Sequence, residues 1–150
     1  MTTHDVLLLH ASATLILAGV MWAIQLGLVP LLARATEATW PHHTQVYRRV
    51  FRTLFWPLLV AEAASGLLAA QRHPEGIPSW VHGVNLTLLA AAWGTIPLVR
   101  LVVGHHPLAR FDPDGFRRFA RLNWIRVVIW TARGGVVVAM LRLAAGARPT

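Results

Sequence analysis

Four long apolar stretches dominate this chain, at about 6–33, 53–70, 79–103 and 122–145, each interrupted by only a few polar residues. The hydrocarbon core of a bilayer is ~30 Å thick and takes about 20 helical residues to cross. Lipid offers no hydrogen-bond partners to the backbone, so stretches of this length must be helices. The expectation is an all-α, integral membrane four-helix bundle forming one domain over residues 1–150. Composition agrees: 55% of residues are hydrophobic and 13% charged, whereas a soluble domain carries about 25% charged residues. The opening residues, Met-Thr-Thr-His-Asp, contain no base, and the first run is too long for a cleaved signal. Pro30, Pro57 and Pro97 sit near the ends of their runs, where proline kinks or starts a helix.

Arginine sets the orientation. The net charge is +8, and every one of the 14 basic residues is Arg. Arg34, Arg48, Arg49 and Arg52 lie between the first and second stretches, and Arg100, Arg110, Arg117, Arg118 and Arg121 around the connection of the third and fourth. Only Arg72, Arg142 and Arg148 lie at the opposite face. Positive residues stay in the cytoplasm, which predicts a bacterial inner-membrane protein with both termini outside. Trp40, Trp56, Trp80 and Trp124 fall near span boundaries, as interfacial anchors do. The arginine clusters suit contact with anionic lipid headgroups. They do not suit nucleic acid, which needs an exposed basic face with stacking aromatics. With no Cys, disulfides, thiolate metal sites and thiol nucleophiles are excluded. No phosphate-binding loop, zinc-protease helix or nucleophile elbow is present.

An internal repeat runs through the chain. Tyr47-Arg48-Arg49-Val50-Phe51-Arg52 parallels Phe116-Arg117-Arg118-Phe119-Ala120-Arg121, with Trp56 and Trp124 following. His10 and Trp22 parallel His82 and Trp93, and His42-His43 parallels His105-His106. Two hairpins related by a pseudo-two-fold along the membrane normal account for this pattern. The paired histidines themselves read as solvated loop residues.

Polar residues within the membrane are costly and point to function. At helical spacing they form one stripe per stretch: His10, Thr14, Ala18, Met21 and Gln25; Phe55, Leu59, Glu62 and Gly66; His82, Asn85, Leu89 and Trp93; Asn123, Arg126, Trp130 and Arg133. Glu62 and Arg133 lie at similar depth, roughly 14 and 16 Å from the arginine-rich face at 1.5 Å per residue. An unpaired charge there costs ~2.5–3.5 kcal/mol, so the two are expected to pair, either as a lock between helices or as a catalytic or proton-handling site. His10 and His82 enter from the other face. As repeat mates they could ligate a b-type haem axially, with Arg126 and Arg133 beside its propionates. As metal ligands they are expected only in that haem-iron role.

Two resemblances accompany these patterns. His10, Trp22 and Pro30, then Arg48–Pro57, Trp80-Val81-His82 and Phe119–Asn123 resemble the membrane-embedded bacterial protoporphyrinogen oxidase family. That resemblance implies a helical membrane fold, haem binding and a role late in haem synthesis. Val84 stands where that family has lysine, and Trp124 follows Asn123 where it has Glu. Asn123-Trp124-Ile125-Arg126 and Trp130-Thr131-Ala132-Arg133 are similar to a motif of uncharacterised four-helix bacterial membrane proteins, which supports the architecture alone. Three functions follow as expectations, with enzymatic activity left open. The first is a haem- or porphyrin-binding protein with a redox or haem-handling role. The second is a non-catalytic subunit of a larger membrane complex, packed through Ala61, Ser65, Ala69 and Gly134-Gly135. The third is a small transporter acting as a dimer. The expected partners are the bilayer, other membrane subunits or a second copy.

Overall fold

The first helix begins at a reciprocal cap. Thr2 Oγ accepts from the Asp5 backbone N–H at 3.1 Å, and Asp5 Oδ2 accepts from the Thr2 N–H at 2.7 Å. The computed structural model describes residues 2–103 and 108–146. They form four long helices and, among the described residues, no strand: α1 (Thr3–Ala33), α2 (Trp40–Arg72), α3 (Ser79–Val103) and α4 (Pro113–Gly146). All four are long and apolar enough to cross a membrane, so the chain is an all-α membrane bundle.

Two helices begin well before their apolar runs. Hydropathy starts α2 near residue 53 and α4 near 122, but the helices start at Trp40 and Pro113. Both starts carry proline in the first turn, where its missing N–H costs nothing. Asp112 Oδ1 also accepts from the Gly115 N–H at 2.9 Å. Arg48, Arg49, Arg52, Arg117, Arg118 and Arg121 are therefore helical, as are His42 and His43. His105, His106 and Arg148 lie outside the described residues.

Pro30 and Pro57 each follow a widened turn, at Ile24–Leu28 and Phe51–Phe55. There the Val29 N–H bonds Ile24 O and the Trp56 N–H bonds Phe51 O, five residues back. Proline removes a donor and pushes on the carbonyl of the preceding turn, and the wide turn gives that carbonyl room. At the other end of α2, His73 adopts a left-handed backbone (φ 43°), followed by Gly76 (φ 80°). These two residues turn the chain into α3.

The core is stacked in three tiers. Leu7, Ala11, Ile77, Val81, Val137 and Met140 fill the tier at the end bearing the termini. Leu17, Met21, Phe55, Leu59, Ala92, Val127 and Trp130 fill the middle. Val29, Leu32, Trp40, Val99, Leu108, Phe116 and Phe119 fill the arginine-rich end. Trp40 is a correction: it is no interfacial anchor but a core residue, 4% exposed, set edge-on against Phe111 and Phe116. Leu26, Leu101 and Val128 point outward, each more than half exposed, an apolar surface that lipid covers and water would not tolerate.

The hairpins differ in detail. α1 packs closely on α2 and α4, and α3 on α4, while α2 and α3 touch much less. Wide turns occur in α1 and α2 but not in α3 or α4. Arg48 comes two turns into α2 and Arg117 one turn into α4. The sequence likeness of the hairpins is thus not matched turn for turn.

Candidate functional site

All four helices contribute to one buried polar cluster. α1 supplies His10 and Thr14, α2 Glu62 and Ser65, α3 Asn85, and α4 Arg133. None of the six is more than 2% exposed. The expected pair is formed: Arg133 Nη2 donates to Glu62 Oε1 in a fully buried salt bridge. Arg133 Nη1 donates to the Asn85 carbonyl at 2.8 Å, and Thr14 Oγ reaches Glu62 Oε1 at 3.3 Å. The Trp130 ring lies 5.3 Å from the Arg133 guanidinium carbon, within cation–π range. A buried pair gains from each remaining lone pair or proton that finds a partner, and here Thr14 of α1 and Asn85 of α3 each provide one.

His10 is held at both nitrogens. Asn85 Nδ2 lies 3.0 Å from His10 Nε2. With the amide as donor, Nε2 accepts and the ring proton sits on Nδ1. Nδ1 faces Ser65 Oγ at 3.4 Å and Glu62 Oε1 at 3.9 Å. The backbone of Gly66 abuts the ring, and a Cβ there would stand 2.9 Å from His10 Cε1. No residue larger than glycine fits position 66 without moving the imidazole. Sequence reasoning placed Gly66 on the correct stripe but could not assign it this contact.

His82 lies one turn from Asn85, towards the termini, on the same face of α3. It is 4% exposed, neither ring nitrogen has a hydrogen-bond partner among the described residues, and its ring is edge-on to exposed His73 at 5.7 Å. Glu62 Oε2, Asn85 Oδ1 and Arg133 Nε also lack partners among the described residues. Buried polar atoms are nearly always satisfied in native proteins, so unpartnered atoms gathered in one place mark a site.

A haem between His10 and His82 does not fit this arrangement. His10 is fully buried, Asn85 occupies its Nε2, and Gly66 closes on the ring edge. Arg126 does not join Arg133. It lies two turns nearer the arginine-rich end, where its Nε donates to Thr95 Oγ at 3.0 Å. The apolar middle tier, including Val127 and Trp130, lies between them. Arg126 instead lines a separate cavity of about 170 Å³ with Tyr47, Trp56, Arg100 and Phe119. Gln25 and Asn123, each expected on a stripe, pair at 2.8 Å in that same half. Thr95 was missed because a threonine in an apolar helix carries no signal of its own; the signal was Arg126, which needed a partner. Among the described residues, no group of three or more His, Asp or Glu could hold a metal ion. The chain matches no protein-family model, no curated protein and no solved structure.

Proposed function

We propose that this chain is an integral protein of the bacterial inner membrane that binds and releases a proton at Glu62, reached from the face bearing both termini. The observation that carries this reading is a file of imidazoles leading inward from the surface. Exposed His73 contacts buried His82, His82 lies beside the Asn85–His10 pair, and His10 Nδ1 faces Glu62. Imidazole suits such a path because it can take a proton on one nitrogen and give one up from the other.

The groups around Glu62 specify the transfer. Facing it are His10 and Thr14 from α1, Arg133 from α4, and Asn85 with His82 beyond it from α3. A proton arriving at His10 Nε2 displaces the Asn85 N–H. The amide rotates so that its unpartnered Oδ1 accepts the new N–H, and the Nδ1 proton passes to Glu62. Neutral Glu62 no longer pairs ionically with Arg133, so the lock between α2 and α4 loosens. The chain is thereby a proton-responsive bundle, able to act alone or as a subunit beside other membrane proteins.

Infrared difference spectra between acid and alkaline pH, on protein in nanodiscs, test this reading. A protonated-carboxyl band is expected, lost in Glu62→Gln and altered in its pH dependence in His82→Phe. A spectrum without a pH-sensitive carboxyl band, or a band untouched by Glu62→Gln, contradicts it and favours the static clamp of an accessory subunit. A porphyrin-handling role would require His10 to release Asn85, so preparations from cells supplied with haem precursor are expected to be colourless. A Soret band lost in His10→Ala would overturn that expectation.

The orientation rests on arginine asymmetry. Nine described arginines lie at one end, against Arg72 and Arg142 at the other. The chain has no native Cys, so single cysteines report cleanly. Glu75→Cys is expected to label from outside intact cells, and Glu37→Cys only after permeabilisation. The reverse pattern inverts the topology.

A further inference from the structure

At the arginine-rich end, away from the Glu62 site, a cavity of about 610 Å³ opens between α2 and the segment leading into α4. Arg48, Arg49 and Arg52 line it from α2, Arg110 lines it from the other side, and Trp40 and Phe111 form an aromatic wall. Glu37 is its only acidic lining residue among the described residues. None of the four guanidinium groups pairs with a carboxylate among the described residues. Among the described residues, only Arg48 of the four finds a hydrogen-bond partner, donating to the Leu108 carbonyl.

We propose that this cavity is a binding site for a phosphate-bearing ligand with two or more negative charges. Topology alone needs arginines near the cytoplasmic face, but it does not need four of them around one hollow without counter-charge. Like charges gathered this way repel one another; water and salt screen these exposed groups in part, and a bound polyanion relieves the repulsion directly. Guanidinium forks match phosphate oxygens bidentately, and arginine is the residue of choice for that geometry. With four positive charges against one negative, the hollow suits a phosphate monoester or a pair of phosphodiesters better than a single carboxylate. The hydroxyl of Thr44 is committed to the Trp40 carbonyl, whereas the Gln45 amide, also on the lining, has no hydrogen-bond partner among the described residues and can serve a polar headgroup. The same chemistry could be met by an anionic lipid headgroup or by a soluble organic phosphate.

The test measures binding to the full chain in nanodiscs of phosphatidylcholine, with either cardiolipin added to the bilayer or inorganic pyrophosphate added to the buffer. Arg49→Gln/Arg110→Gln removes one charge from each wall and breaks no side-chain hydrogen bond to any other described residue. Arg34→Gln/Arg121→Gln removes the same charge from the same end, outside the cavity. The cavity variant is expected to lose affinity by roughly tenfold or more, as the loss of charged hydrogen bonds requires, while the control keeps it within about twofold. Retention of cardiolipin alone identifies the source as lipid, and saturable pyrophosphate binding in pure phosphatidylcholine identifies it as soluble. Equal losses in both variants would show a diffuse surface charge and overturn the site, as would binding of neither probe. Helical circular dichroism and melting of both variants, expected to match the native protein, exclude misfolding as the cause.

Discussion

Glu62→Gln and Arg133→Gln, made singly, are each expected to lower the stability of the bundle by ~3–5 kcal/mol, because each strands the other's charge in a fully buried setting. The double variant is expected to recover a substantial part of that loss, since two neutral amides can hydrogen-bond where one amide and one ion cannot. The pair also has helpers that outlast it: Thr14 Oγ and the Asn85 carbonyl stay in place to receive the new amides. Unfolding in detergent, followed by the helical circular dichroism signal, supplies the cycle. Additive losses would mean that the two residues do not interact. A double variant less stable than either single one would point to a wider network in which Thr14, Ser65 and His10 also depend on the charges.

Trp130→Ala is expected to cost about 3 kcal/mol or more, by the cost of emptying a well-packed core site. Trp130 is 2% exposed and fills the middle tier between Leu17, Met21, Phe55 and Leu59. Lipid is as apolar as the core, so the loss comes from missing contacts and not from water exclusion. The ring also covers the Arg133 guanidinium, and that contact contributes ~0.5–2 kcal/mol depending on desolvation. Trp130→Phe keeps an aromatic face over Arg133 and is expected to lose much less. Equal losses for the two variants would contradict this, because phenylalanine keeps both an aromatic face and much of the volume that alanine removes.

The fold was legible in the sequence because lipid leaves the backbone one solution, and the ion pair was legible because a charge at mid-depth must find its opposite. Depth counting brought Glu62 and Arg133 together without reference to any other residue. The same counting could not reveal the state of His10. Whether an imidazole presents a free nitrogen depends on the rotamers of Asn85 and Ser65 and on the absence of a side chain at Gly66, and no periodicity encodes those. Arg126 and Arg133 lie on one stripe, yet they serve different tiers because an apolar layer lies between them. The starts of α2 and α4 were missed for another reason. Hydropathy registers only the lipid-facing part of a helix, while Pro41 and Asp112-Pro113, the start signals, lie in polar sequence. Trp40 misled because a tryptophan near a span boundary reads the same whether it faces headgroups or packs on Phe111 and Phe116.

The central claim is that the proton of Glu62 exchanges with one face of the membrane only, the face bearing His73. The most direct measurement follows the Glu62 carboxyl infrared band in vesicles holding the protein in a single orientation, while pH is changed on one side at a time. The band is expected to respond when pH changes on the side of His73 and the termini, and to stay constant when it changes on the arginine-rich side, where the middle apolar tier seals the path. A band that responds from the arginine-rich side, or equally from both, would contradict this account.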